Sequence, residues 1–279
     1  MNKYLQLFRF GNGLMGVVGV MTGALIASGL DIADHWKIIL IASAVVVLFI
    51  AGGNALNDYI DRDIDRTSHP ERPIPSGRMS PKEALTAGIA AFTASIVISL
   101  IAVTLSFVDW DLASLVIVLV ACALMLSYEL FLKQRGFIGN VTIAVLTGML
   151  FLLGGAVVGN IEAVIPVTCM AVLVSIGREI AKDIEDMKGD EGRSTLPMRI
   201  GVRRACAVAS VMLIAGTALI VWPIILKMFG PLYYLIFAAG AVFIYASYII
   251  HKDARKAQQL CKYAMLVALA AFILGAVYT

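Results

Sequence analysis

Charge is scarce in this chain of 279 residues: 15% of positions are Asp, Glu, Lys or Arg, against 60% hydrophobic, with a mean hydropathy of +0.90. A soluble domain carries about 25% charged residues and about 45–50% apolar ones. A globule of this size has too little interior to hide so much apolar surface. Cysteine is also rare. Cys122, Cys169, Cys206 and Cys261 form no C-x-x-C pair and lie in or near apolar stretches, which excludes a disulfide scaffold and predicts buried thiols. The three histidines, His35, His69 and His251, match no zinc spacing. A net charge of +3 gives no footprint for nucleic acid, and none is expected as a partner. What remains is an all-α polytopic membrane protein.

Apolar runs of about 20 residues, the length of a bilayer crossing, fall at 11–29, 37–57, 83–107, 112–130, 138–158, 162–181, 204–227, 231–250 and 260–278. Nine transmembrane helices are therefore predicted, with a tight turn at Lys227–Pro231. The whole of 1–279 reads as a single domain. No A-x-A-like site follows the first run, which reads as retained. With nine crossings, 20 of the 22 Lys and Arg residues fall on the side of the N-terminus; only Lys37 and Lys227 lie opposite. The positive-inside rule puts the N-terminus in the cytoplasm of a cell membrane and the C-terminus outside.

The acids cluster too, although that rule does not require it. Six lie in 58–83 and six in 179–191, 12 of the 19 in the chain. Asp58, Asp61 and Asp65 stand at i, i+3 and i+7, one face of a helix. Asn54 and Asn57 extend the stripe, and Asp63 falls off it. Asp183, Asp186 and Asp190 repeat that spacing, with Glu179 standing where Asn54 stands in the first motif. The two motifs, at 54–65 and 179–190, suggest two related halves. Like charges so spaced repel, so a cation is expected between them. Carboxylates without His or Cys suit Mg2+, which binds through one or two carboxylates plus phosphate and water. Arg72, Arg78, Lys182, Lys188, Arg193, Lys133 and Arg135 surround the motifs, with Tyr128 and Asn140 at the edges of the loop that carries Lys133. Metal-holding carboxylates ringed by basic residues suit a diphosphate.

At these residues the sequence resembles the UbiA superfamily of intramembrane prenyltransferases. Asn57-Asp58-x-x-Asp61-x-x-x-Asp65 matches its first aspartate-rich motif and Asp183-x-x-Asp186-x-x-x-Asp190 its second. The resemblance implies a helical bundle whose motifs bind a prenyl diphosphate through Mg2+ at the cytoplasmic mouth of a cavity. Arg72-Pro-Ile-Pro-Ser-Gly and the run from Arg178 to Asp190 are similar to an archaeal branch. Members of that branch move a geranylgeranyl group from its diphosphate to the hydroxyl of geranylgeranylglyceryl phosphate. That acceptor needs its own basic residues, for which Arg78, Arg135 and Arg193 are candidates. Lys133, Arg72 and Lys188 are candidates for the leaving diphosphate. Gly11 stands where relatives often carry proline, so Arg9 and Asn12 carry less weight as acceptor contacts. An aromatic acceptor would keep the chemistry and dispense with the second basic set. A cation transporter is the reading of another class, but the acids gather at one end and leave no path across. No obligatory protein partner is implied.

Overall fold

The computed structural model describes residues 2–104, 110–187 and 194–278. All described regular structure is helical. α1 (Lys3–Leu7) leads into α2 (Phe10–Ser28), and a 3-10 turn at Gly29–His35 connects it to α3 (Trp36–Ile60). Then come α4 (Arg62–Ser68), α5 (Pro81–Thr104) and α6 (Leu112–Ser127), which runs on through a π-helical turn at Tyr128–Leu132. The rest are α7 (Phe137–Val157), α8 (Ile165–Asp186), α9 (Leu196–Ile200), α10 (Val202–Ala218), α11 (Val221–Ile225), α12 (Ile236–Ile249) and α13 (Ala254–Val277).

Among the described residues, eight continuous helical stretches are long and apolar enough to cross a membrane. The first, Phe10–Ile60, is 51 residues long. As one straight rod it would reach about 77 Å, far beyond a hydrocarbon core of about 30 Å. The turn at Gly29–His35 folds it instead into the hairpin of α2 on α3, with Gly13 against Val47 and Arg9 against Asn57. The nine expected runs each have a helical counterpart in this bundle. The seventh is broken after Ala218, and the short α11 carries Pro223.

Four apolar clusters hold the bundle together, two of them large. One joins α2, α3, α5, α6 and α7; the other joins α7, α8, α10, α12 and α13. α2 packs on α7 and α13, so the two groups close around a common middle. The α2–α7 crossing is tight because both helices present glycine. A Cβ on Gly154 would stand 2.2 Å from the Val20 carbonyl oxygen, and one on Gly23 would stand 2.4 Å from that of Phe151. Small residues let membrane helices approach where lipid gives no hydrophobic drive to associate. The outer surface remains greasy, with Leu40, Leu119, Val211 and Ile244 all exposed. That is a lipid-facing surface, not a water-facing one.

Candidate active site

The last turns of α3 carry Asn54, Asn57 and Asp58, and α4 carries Asp65. The helix is interrupted at Asp61, which ends α3 and begins α4. The i→i−4 pattern survives the break: Asp61 N–H donates to the Asn57 carbonyl at 2.9 Å, and Asp65 N–H to that of Asp61 at 2.8 Å. The three aspartates therefore stay on one stripe, and all are buried, Asp58 to 1% exposure. Asp63, off the stripe, is exposed and pairs with Arg66.

Each buried carboxylate faces a cation. The Arg72 guanidinium lies 2.5 Å from Asp65 Oδ2 and 3.4 Å from Asp58 Oδ1. Arg9 donates to Asp58 Oδ1 at 2.6 Å and to Asn57 Oδ1 at 3.2 Å. Its backbone is left-handed, at φ 47°, a strained conformation for a side-chain-bearing residue. That conformation turns the chain from α1 into α2 with the guanidinium over the acidic stripe. Lys133 Nζ lies 2.6 Å from Asp61 Oδ2 and 3.3 Å from Glu129 Oε2. The π turn at Tyr128–Leu132 carries Glu129 and sets Lys133 beside Asp61. Gly136, at φ 62°, then swings the chain into α7. From α7, Asn140 Nδ2 donates to Asp183 Oδ2 at 2.9 Å.

These elements enclose a polar cavity of about 650 Å³. Its wall holds seven carboxylates (Asp61, Asp65, Glu129, Glu179, Asp183, Glu185 and Asp186) and four cationic side chains (Arg9, Arg72, Lys133 and Lys182). Asn12, Asn54, Asn57, Ser68, His69, Tyr128, Asn140 and Thr195 complete its polar surface. The two motifs, far apart in sequence, thus share one space. Asp58 is set behind this wall, in the grip of Arg9 and Arg72.

Besides Asp58, two expected residues do not line the cavity. The Arg78 guanidinium bonds Gln6 Oε1 at 2.6 Å and the Glu71 carbonyl, which ties the 69–80 loop to α1. Arg135 is exposed and does not line the cavity. The sequence places both in loops that adjoin the motifs, but loop membership does not determine which way a long side chain points. Lys188, Asp190 and Arg193 lie outside the described residues. Glu129 escaped the sequence reading. Its signal is a single acid at the end of an apolar span, four residues before Lys133, the i, i+4 spacing of an ion pair.

The wall suits a hard divalent cation. Its carboxylates outnumber its lysines and arginines by seven to four, with one imidazole, His69, beside them. A diphosphate cannot enter so negative a space unless further positive charge enters with it. Among the described residues no three carboxylates converge as a ready-made cage.

The sequence profile of the UbiA prenyltransferase family matches residues 16–270, and the chain belongs to that family. Within it, the chain is 36% identical to the digeranylgeranylglyceryl phosphate synthase of Methanothermobacter thermautotrophicus over 283 residues, covering 99% of this chain and 96% of the relative. It is 33% identical to the synthase of the same name from Methanosphaera stadtmanae, covering 99% of this chain and 100% of the relative. A solved digeranylgeranylglyceryl phosphate synthase structure superposes with a TM-score of 0.82 at 33% identity, covering 99% and 98% of the two chains. A UbiA homologue from Archaeoglobus fulgidus, solved bound to GPP and Mg2+, shares the fold with a TM-score of 0.72 at 15% identity, covering 99% of both chains.

Proposed function

We propose that this protein is a Mg2+-dependent membrane prenyltransferase that joins a geranylgeranyl group to the free hydroxyl of geranylgeranylglyceryl phosphate, the second ether of archaeal lipids. The observation that carries this reading is the carboxylate-rich cavity between the two aspartate motifs, in a chain alike over its full length to digeranylgeranylglyceryl phosphate synthases. Asp61, Asp65, Asp183 and Asp186 would hold Mg2+, with Asp190 in the same set, while Asp58, behind the wall, would hold Arg9 and Arg72 in place. When bound, Mg2+ supplies neutralisation of the charge that builds on the leaving diphosphate.

The chain's own cations add to that. Lys133 and Arg72 are held at the wall by Asp61 and Asp65 and offer donors to the diphosphate, joined by Lys182. Asn54, Asn57 and Tyr128 orient it. The apolar bundle keeps bulk water from C1 of the prenyl chain. The acceptor oxygen bonds C1 as the C1–O bond to diphosphate breaks, and the hydroxyl proton leaves to a wall carboxylate. The cytoplasmic placement of this cavity, the N-terminus and the basic loops belongs to the same proposal, supported by the segregation of Lys and Arg.

The test supplies purified protein with Mg2+, labelled geranylgeranyl diphosphate and either geranylgeranylglyceryl phosphate or 4-hydroxybenzoate. Label entering a doubly prenylated glycerol phosphate, and stopping with EDTA, is the expected result. Label entering only the aromatic ring overturns the acceptor assignment.

A further inference from the structure

Two buried oxygens in the wall of the polar cavity find no hydrogen-bond partner among the described residues: Asn140 Oδ1 and Thr195 Oγ1. Asn140 is 6% exposed and Thr195 4%. A buried polar atom left unpaired is costly, and each one in a native protein calls for an explanation. The hydroxyls of Thr168 and Ser175 are unpaired as well, but neither residue lines this cavity.

The setting of each oxygen is fixed by its neighbours. Asn140 Nδ2 donates to Asp183 Oδ2 at 2.9 Å. Turning the amide over would set its oxygen against a carboxylate oxygen, acceptor against acceptor, so the nitrogen is committed and the oxygen is left to offer. Thr195 precedes α9, a place where a threonine hydroxyl commonly caps the helix, yet it makes no capping bond. Other atoms hold the segment. Arg199 donates through Nε to the Ser194 carbonyl at 3.1 Å and through Nη2 to the Gln134 carbonyl at 3.2 Å. Those bonds tie Thr195 to the turn that opens α7, where a Cβ on Gly136 would stand 3.3 Å from the Leu196 nitrogen. Asn140 N–H reaches back to the Gly136 carbonyl at 3.4 Å. The two oxygens thus come from separate segments that meet at one corner of the wall, with Asp183 beside Asn140.

Their chemistry selects what they face. An amide oxygen only accepts, so it does not bind a bare phosphate oxygen, which accepts too. Its partner is a donor. Mg2+ gives up its water reluctantly, and that water donates. An amide and a hydroxyl supply oxygen without adding negative charge to a wall already rich in carboxylates. Resting on the proposed function, we infer that Asn140 and Thr195 are neutral oxygen partners of the hydrated divalent cation at the second aspartate motif. Asn140 acts twice, its nitrogen orienting Asp183 and its oxygen holding the cation's shell. Both are positioning residues, which seat the cation and with it the diphosphate.

The test is Mn2+ binding in detergent, read by electron paramagnetic resonance, with and without inorganic diphosphate and with Mg2+ as competitor. No prenyl substrate is present, so turnover plays no part. Thr195→Val removes the hydroxyl and keeps the shape, and Asn140→Leu removes the amide. Each is expected to raise the Mn2+ Kd about tenfold, the scale of losing a partner around a metal's ligands, and Thr195→Ser to restore it. Thr142 is the control on the same helix: its hydroxyl bonds the Ile138 carbonyl at 2.8 Å and it does not line the cavity. Thr142→Val should leave the Kd unchanged. A thermal melt without metal accompanies each variant. Either Asn140→Leu or Thr195→Val binding Mn2+ as tightly as the native protein overturns the pairing, and a lowered Tm with an unchanged Kd would assign that residue to structure alone. Should Asn140→Leu fail to fold, the Thr195 pair decides alone. A native protein that binds no Mn2+, with or without diphosphate, would refute the metal reading in the proposed function itself. That result is distinct from a failure of this inference, in which the native protein binds and the variants bind alike.

Discussion

Lys133 Nζ meets Asp61 Oδ2 at 2.6 Å, across 72 residues of sequence and from the ends of two different helical segments. Both side chains are nearly buried, so the contact is screened little by water. It fixes an ammonium at the wall where a diphosphate is proposed to leave. Lys133→Met is expected to lower kcat about 100-fold, the scale of losing one preorganised donor to developing charge. The KM for the acceptor should change far less. Single-turnover kinetics would check this, and a variant with a normal kcat would remove Lys133 from the chemistry.

Asp65 and Asp63 form an internal control two residues apart. Asp65 is 3% exposed and lines the cavity beside Arg72, while Asp63 is exposed and faces away. Asp65→Asn is expected to cut transfer at least about tenfold and to raise the Mg2+ concentration needed for half-maximal rate. Asp63→Asn should leave both unchanged. A Mg2+ titration of the two variants side by side checks the stripe, and equal effects would refute it.

Much of this architecture is legible in the sequence because membrane crossings impose a simple rule. A continuous apolar run of about 20 residues reads as a helix, which satisfies its backbone polar groups within the one segment, whereas a barrel strand crosses in about 10. The acidic stripe is legible for a similar reason: i, i+3, i+7 fixes one face. Even the break at Asp61 leaves that face intact. What sequence spacing does not carry is the meeting of helices. Glu129 is periodic only with Lys133 on its own span, and its role follows only once α3 packs beside it and Asn57 Nδ2 comes within 3.2 Å of both its oxygens. Arg78 fails in the opposite way, because a loop residue's direction is set by local bonds to Gln6 and Glu71.

Glu129 is a positioning residue, bonded to Asn57 and Lys133. Glu129→Gln keeps a hydrogen-bonding head but removes one negative charge from the wall. Mg2+ should bind more weakly, and Lys133 should be held less firmly. The expected outcome is a raised Mg2+ requirement with a fall in kcat of about tenfold, and Glu129→Asp restoring less than the native rate. A merely structural role would instead lower thermal stability and leave the Mg2+ dependence alone. Activity against Mg2+ concentration, measured together with a thermal melt, separates the two.

The glycine crossing of α2 and α7 makes a prediction about stability that is independent of the chemistry. A Cβ at Gly154 would stand 2.2 Å from the Val20 carbonyl oxygen and 2.6 Å from the Ala24 nitrogen. These are backbone atoms, so no rotamer change can relieve the clash. Gly154→Ala must push α2 and α7 apart along a seam that both large apolar clusters share. Overpacking of this kind costs about 1–3 kcal/mol. By contrast, Gly11 has open space around it, so Gly11→Ala meets no neighbour. Melting the purified variants in one detergent should give a lowered Tm for Gly154→Ala and a near-native one for Gly11→Ala. Because α2 carries Asn12 to the wall of the polar cavity, Gly154→Ala should also lose transfer activity at temperatures where it is still folded. An unchanged Tm and rate would mean that α2 and α7 do not cross as closely as this.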